Sequence, residues 1–236
     1  MAAHNDRSPT GTMNDPLEEF AQMALELHAN EDVARTVDGV LEYALKAVNC
    51  HYAGVIFVHG KSRVETAAAT HPLVAELDRL QLECGEGPDI DVLEDRFSLI
   101  VADTHTDRRW PKWAKAVAEA GIRSLLSVRL YTSSTTVGTL NLYDEQPARF
   151  DVADQEIAHV LARHAAVALS TAMKTENLWQ AIDSRKLVGQ AQGILMERYG
   201  LNGDQAFAVL MRYSQDKNIK LRAVAEMLIE TRSLPQ

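Results

Sequence analysis

Apolar residues recur at helical spacing over residues 17–27, with Leu17, Phe20, Ala24 and Leu27 on one face. The same spacing returns over residues 33–48, where Val33, Val37, Val40, Leu41 and Leu45 share a face. Two amphipathic helices are therefore predicted first. Residues 52–59 are β-branched and aromatic; with the Gly60-Lys61-Ser62 turn and residues 63–70 they read as a hairpin. Helical spacing resumes over 72–82. Gly85-Glu86-Gly87-Pro88 must turn, and Pro88 suits the first position of a short helix, where its missing N–H would have no partner anyway. Residues 97–102 predict another strand. A helix starts within Arg108-Arg109-Trp110-Pro111-Lys112-Trp113, runs to Ala120 and stops at Gly121. Leu126, Val128 and Leu130 alternate, as do Leu140 and Leu142, so a second hairpin with one buried face is predicted around residues 132–135. After Phe150-Asp151 a long helix begins, with Ile157, Val160, Leu161, Ala165 and Ala168 as its apolar stripe.

Beyond about Thr175 no strand signal appears. Three stripes follow: Leu187, Val188, Ala191, Ile194 and Leu195; Ala206, Phe207, Leu210 and Met211; and Leu221, Val224, Ala225, Leu228 and Ile229. Gly200 and Gly203 bracket the first connection and residues 216–220 make the second. Helices this short need one another, so a three-helix bundle is expected. No Pro- or Gly-rich linker separates the two halves, which implies one continuous helix from about Asp154 to Tyr199 as a mechanical connection.

A length of 236 residues allows one large domain or two small ones, and 46% hydrophobic with 24% charged residues excludes a disordered chain. The formal charge of −9 argues against binding nucleic acid along the whole length. Splitting that sum changes the picture. Residues 177–236 hold eight basic and six acidic side chains, leaving −11 for residues 1–176. An acidic module is fused to a mildly basic one. Residues 1–14 are polar and aperiodic, a mobile tail by composition. No apolar run approaches the ~18 residues of a membrane span or a signal-peptide core, so a cytoplasmic protein without membrane contact is expected. Cys50 and Cys84 match no metal or redox spacing and read as reduced thiols.

Residues 181–198, with Gln190-Ala191-Gln192-Gly193-Ile194-Leu195-Met196 at their centre, then Asp204-Gln205-Ala206-Phe207, Asn218 and the stretch from Leu221 to Ala225, resemble the ANTAR domain. Residues 15–172 are similar to GAF domains of the kind that precede ANTAR domains in actinobacterial proteins. That likeness rests on Gly85-Glu86-Gly87-Pro88, Arg109-Trp110-Pro111, Gly121-Ile122-Arg123-Ser124-Leu125-Leu126-Ser127, Gly138-Thr139-Leu140-Asn141-Leu142-Tyr143 and Phe150-Asp151. The resemblance implies an α+β chain: a polar tail (1–14), a GAF domain with an antiparallel sheet flanked by helices (15–172), and an all-α three-helix ANTAR domain (173–236). Two departures stand out. The ANTAR pattern commonly has Lys at Gln192, and such GAF domains often carry Cys at Asp89, so neither a phosphate contact nor a redox role is implied at those positions.

ANTAR domains recognise paired hairpins with six-base loops, so loop bases need polar or planar partners and phosphates need cations. Arg185, Gln192, Arg198, Lys220 and Arg222 are the candidates outside the apolar stripes; Tyr199 and Tyr213 read as packing. For a small ligand in the GAF domain, a cyclic mono- or dinucleotide ranked first, the candidate lining is Tyr52, Phe57, Cys84, Asp89, Trp110 and Asn141. Trp110 and Trp113 also read as core cover at a helix start. His159 and His164 are five apart, about 140° round a helix, unlike an i,i+4 metal pair; no metal and no cofactor are predicted.

Neither GxSxG, GxxxxGK[ST] nor HExxH occurs, and no carboxylate pair stands out as catalytic. The resemblance implies a cytoplasmic homodimeric regulator that binds twin hexaloop hairpins in nascent transcripts to promote antitermination, with Ala162, Ala165, Ala166, Ala168 and Ala172 allowing close approach of two helices. Two other readings compete with this one. A DNA-binding helix-turn-helix factor would need several base-reaching side chains on its recognition helix, where residues 221–229 offer chiefly Arg222. A GAF-type sulfoxide reductase would need more than two widely spaced cysteines.

Overall fold

The computed structural model describes residues 16–30, 32–59, 63–94 and 96–233. The polar tail and the Gly60-Lys61-Ser62 turn lie outside the described residues. The chain divides into two units between Met173 and Lys174.

The first unit runs α1 (Pro16–Ala29), α2 (Val33–Val48), β1 (Tyr52–His59), β2 (Arg63–Ala69), α3 (Pro72–Cys84), α4 (Pro88–Glu94), β3 (Ser98–Val101), α5 (Pro111–Glu119), β4 (Ser124–Tyr131) and β5 (Thr136–Asp144), then enters α6 (Val152–Tyr199). Local chemistry sets several boundaries. The Asp32 carboxylate accepts from the Arg35 N–H at 2.8 Å to start α2, and Asn49 in the left-handed region ends it. Helix α5 begins at Pro111, inside the expected 108–113 stretch; Asp107 accepts from the Arg109 N–H at 2.9 Å just before it.

Among the described residues the sheet has the order β2-β1-β5-β4-β3, antiparallel throughout. One face carries α1, α2 and α6 over Val55, Phe57, Leu126, Val128, Leu130, Leu140 and Leu142. The other carries α3, α4 and α5 over Leu99, Val101, Leu125 and Tyr143. Both faces of the β4–β5 ribbon are thus buried, where one was expected. Gly138 of β5 is required by the close approach of β1: a Cβ there would stand 1.7 Å from the Ile56 carbonyl oxygen.

Helix α6 departs from the expected stripe. Leu161, Ala165 and Ala168 do face the core, joined by Ala158, Ala162, Ala166, Leu169 and Ala172, but Ile157, Val160 and Val167 are exposed. Of the alanines expected to meet a second copy, Ala162, Ala165, Ala166 and Ala168 lie instead in the unit's own core with the sheet, and Ala172 is buried. Small side chains let a long helix lie close on a sheet, and that decides which face turns inward.

In the second unit the end of α6 packs with α7 (Gly203–Lys217) and α8 (Leu221–Thr231) around Ala191, Leu195, Ala206, Leu210, Val224, Ala225 and Leu228. A capping box starts α7: Asn202 Oδ1 accepts from the Gln205 N–H at 2.9 Å, and Gln205 Oε1 accepts from the Asn202 N–H at 3.0 Å. Asn218 in the left-handed region ends it. Phe207, expected in the core, is exposed. No described helix is long and apolar enough to cross a membrane.

Gly138→Ala is expected to destabilise the first unit by about 3 kcal/mol, since backbone must move to admit the methyl group. Chemical denaturation measures it, and an unchanged midpoint would contradict the close β1–β5 approach.

Candidate binding sites

Under α3 and α4 the sheet carries a polar network inside an otherwise apolar layer. Asp89, at the start of α4, is fully enclosed. Its Oδ2 accepts from Gln81 Nε2 at 2.5 Å and Asn141 Nδ2 at 2.9 Å, and its Oδ1 accepts from the Ser127 hydroxyl at 2.9 Å. The Asp89 N–H donates to Gln81 Oε1 at 2.9 Å, so one amide is gripped at both ends. Asp78 of α3 accepts from the Tyr143 hydroxyl at 2.9 Å and from the Thr66 hydroxyl at 3.2 Å. Burial raises Asp89 above the usual carboxylate range against the pull of its hydrogen bonds. Burial and then the neighbouring Asp89 charge push Asp78 up to about 7. Thr139 sits close enough to Asp89 to favour its anion, yet its hydroxyl makes no hydrogen bond of ordinary geometry. Asn141 Oδ1 is likewise buried without a partner.

Each residue of the 85–88 turn has a task in this arrangement. Gly85 takes the left-handed conformation that closes α3. The Glu86 carboxylate accepts from the N–H groups of Lys112 and Trp113 at 2.6 and 3.1 Å, capping α5, whose own N-cap residue Trp110 makes no side-chain cap. Gly87 has φ +152, and a Cβ there would lie 2.3 Å from Gln81 Oε1, so only glycine leaves room for the amide. Pro88 opens α4 as expected.

Of the six ligand candidates, the fold brings together Asp89 and Asn141. Trp110 shares their layer but is core, 4% exposed, edge-on to Trp113 at 5.7 Å and under the Arg109 guanidinium at 4.4 Å. The Trp113 indole N–H is buried without a hydrogen-bond partner. Tyr52 lies half-buried at the sheet margin, donating to Glu145 at 2.8 Å. Cys84 is the half-buried last residue of α3, and Phe57 packs on the opposite face of the sheet. Burial pushes the Cys50 thiol up to about 12, so it remains a thiol at neutral pH. His159 bonds to the Ser98 hydroxyl at 2.8 Å, and His164 stacks edge-on with Phe20 and His28. Gln81, Asp78, Ser127 and Tyr143 escaped sequence reasoning, although Val74, Leu77, Asp78 and Gln81 follow the 3.6-residue spacing of a buried face.

In the second unit the five RNA candidates fall into three settings. Arg185 is exposed, and Gln192, seven positions on, donates its amide to the Gly203 carbonyl at 2.9 Å, a link between helices. Lys220 is exposed at the start of α8; Arg222, beside it, donates to Glu226 at 2.9 Å and feels the charge of Asp183 on α6. Arg198 donates to the Arg232 carbonyl and lies 5.8 Å from the Tyr199 ring centre. Between α6 and α8 runs an open groove of about 720 Å³ lined by Gln190, Gly193, Ile194, Glu197, Arg198, Ile229 and Arg232. A Cβ added at Gly189 or Gly193 would meet nothing within 4 Å, so both leave helix backbone uncovered.

A GAF domain family model matches residues 30–170, and an ANTAR domain family model matches residues 176–229. The chain is similar to the Transcriptional regulatory protein PdtaR of Mycobacterium tuberculosis (strain ATCC 25618 / H37Rv), 32% identical over 68 residues. That match covers 28% of this chain and 33% of the other, so the chain spans about a third of the length of the curated relatives it matches. Among solved structures, the free methionine-R-sulfoxide reductase of Neisseria meningitidis in complex with its substrate aligns with TM-score 0.55 and 16% identity, over 71% of this chain and 98% of that one. A domain of a putative two-component sensor histidine kinase protein from Sinorhizobium meliloti 1021 aligns with TM-score 0.52 and 19% identity, over 62% and 96%. GAF3 of Slr1393 from Synechocystis sp. PCC6803 aligns with TM-score 0.51 and 18% identity, over 62% and 99%. At these identities the structures speak for the fold alone.

Glu86→Ala is expected to lower stability by about 1 kcal/mol through the lost α5 cap. Gly87→Ala should cost more, because Gln81 must leave Asp89. Urea denaturation of both variants checks the order, and the reverse order would contradict the roles assigned to the turn.

Proposed function

The chain belongs to the GAF domain family and carries an ANTAR domain, and on that premise we propose that it is a GAF-controlled RNA-binding regulator. It engages twin hexaloop hairpins in nascent transcripts in the cytoplasm and promotes transcription antitermination. The observation that carries this reading is the α6–α8 groove. Its lining includes open helix backbone at Gly193, Gln190 and Glu197 as polar partners, and Arg198 and Arg232 as cations. An exposed glycine inside a helix costs roughly 1 kcal/mol relative to alanine, so the open surface at Gly189 and Gly193 favours function over helix stability. Lys220, Arg222 and Arg185 give further charge for phosphate contacts, which position the RNA while loop bases are read in the groove.

The protein acts as a homodimer in this reading, one ANTAR domain per hairpin. The second copy packs on the outer side of α6, where large apolar side chains are left uncovered. Val160 and Val167 are seven residues apart, and Ile157 and Leu178 are three heptads apart; Ile182 extends the exposed set. A continuous α6 then carries changes in dimer geometry along its length.

Full-length protein should bind a twin-hairpin RNA in preference to duplex DNA at fixed salt. Gly193→Ala should raise helix stability by up to ~1 kcal/mol while weakening RNA binding, and Lys220→Ala should flatten the salt dependence by about one unit of slope. Binding undiminished by removal of residues 179–236 would overturn the assignment. The double substitution Leu178→Glu, Ile182→Glu should yield monomers in sedimentation experiments; an unaltered dimer would place the contact elsewhere.

A further inference from the structure

Asp78 and Asp89 are two carboxyl groups buried in one layer and linked through neutral partners. Tyr143 donates to Asp78 at 2.9 Å, and Asn141, two positions before it on β5, donates to Asp89 at 2.9 Å. Gln81, Ser127 and Thr66 complete the surroundings. Among the described residues no cation reaches either carboxyl. On α3, Glu76 and Arg79 are exposed and Arg79 pairs with the exposed Glu83. On α4, Asp91 is half-buried and Glu94 exposed, while α5 presents Trp113 with Lys112 and Lys115 exposed. On β2, Glu65 is exposed; on β1 the neighbour is Gly54. On β4, Arg129 donates to the Val92 carbonyl at 2.7 Å and lies 5.6 Å from the Phe97 ring centre. Tyr143, the third titratable group, is held well above the ordinary phenol range by burial.

Two buried anions without a counter-charge are costly, and the cheapest remedy is to keep a proton on one of them. The hydrogen bonds say which. Asp89 meets two amide donors, from Gln81 and Asn141, that cannot accept, and one hydroxyl, that of Ser127, so the balance of its partners favours the anion. Asp78 is met by two hydroxyls, and a hydroxyl can turn and accept, so a protonated Asp78 can donate to Thr66 with no heavy atom displaced. The packing leaves little room for anything larger: a Cβ at Gly54 would stand 2.7 Å from Val74 Cγ1 and 3.8 Å from Asp78 Oδ2.

We propose that the Asp78–Tyr143–Asn141–Asp89 cluster is a proton-binding site, and that the proton is a ligand to which the GAF domain responds. Release transfers one proton from the Asp78 carboxyl to water and leaves a second negative charge under α3. Because α3 carries both Asp78 and Gln81, the repulsion acts between this helix, α4 and the sheet, and through Glu86 it reaches the cap of α5. The native state holds a proton that the unfolded chain, with ordinary carboxyls, has already lost above about pH 4. Stability is therefore highest on the acid side, falls as pH rises through the native value near 7, and levels off beyond it.

The test uses the full-length chain between about pH 5 and about pH 9, a range that brackets histidine and buried-carboxyl titration. Infrared spectroscopy in heavy water should show a protonated-carboxyl carbonyl band that disappears with a midpoint near 7, and the thermal midpoint should fall as pH rises towards that value and level off above it. Asp78→Asn should abolish the band and the fall together; Asp89→Asn should move the transition to lower pH by removing the neighbouring charge. Absence of the band in the wild type, or persistence of the same transition in Asp78→Asn, would overturn the proposal. Should Asp78→Asn fail to fold, the wild-type band and the direction of the Asp89→Asn shift decide it.

Discussion

A carboxyl group inside an apolar layer must be ringed by donors, and Asp89 imposes that condition on everything above its side of the sheet. Gln81 answers it from α3, Ser127 and Asn141 from β4 and β5. Gln81 in turn needs Gly87, because any Cβ there would occupy the amide's place. Glu86, held between the two glycines, is then placed to cap α5. The turn that marks the family resemblance thus works as a clamp on three helices. Its motif residues touch one another and the helix ends.

The opposite layer is governed by size rather than charge. Ala158, Ala162, Ala165, Ala166 and Ala168 bury little area each, but they let α6 lie flat on the sheet beside Leu161 and Leu169. The larger Ile157, Val160 and Val167 are left outside as a consequence. A helix whose two sides are both apolar serves a sheet on one and leaves the other uncovered. The ANTAR helices follow a plainer rule, with one shared core and caps supplied by Asn202, Gln205 and Asn218.

Element order was readable because period-2 and period-3.6 patterns alternate cleanly, with Gly, Pro and Asn at the boundaries; α2, β1 and the β4–β5 hairpin emerge where expected. The inner face of α6 was not readable. Hydrophobicity ranks Ile157 and Val160 above Ala158 and Ala162, whereas packing distance ranks them the other way. The buried network was hidden for a related reason: Asp78 and Gln81 sit at core positions of α3, and a polar side chain on a helix is read as solvated unless its partners on distant strands are known. Asp89 and Asn141 are candidates by their place at a crossover loop and on a strand, not from any pattern that announces burial. Phe57 was drawn to the same site because a strand's alternation does not say which of two covered faces a residue serves.

The placement of the three tryptophans has an optical consequence. Trp110 and Trp113 are enclosed beside the clamp, 4% and 0% exposed, while Trp179 is 59% exposed in the ANTAR unit. Indoles in apolar surroundings emit at shorter wavelength than indoles in water, and an aqueous quencher reaches only the latter. The chain therefore carries two spectrally separable labels, one in each unit. Events in the GAF layer and events in the ANTAR unit can be followed apart, in the same cuvette, without a dye.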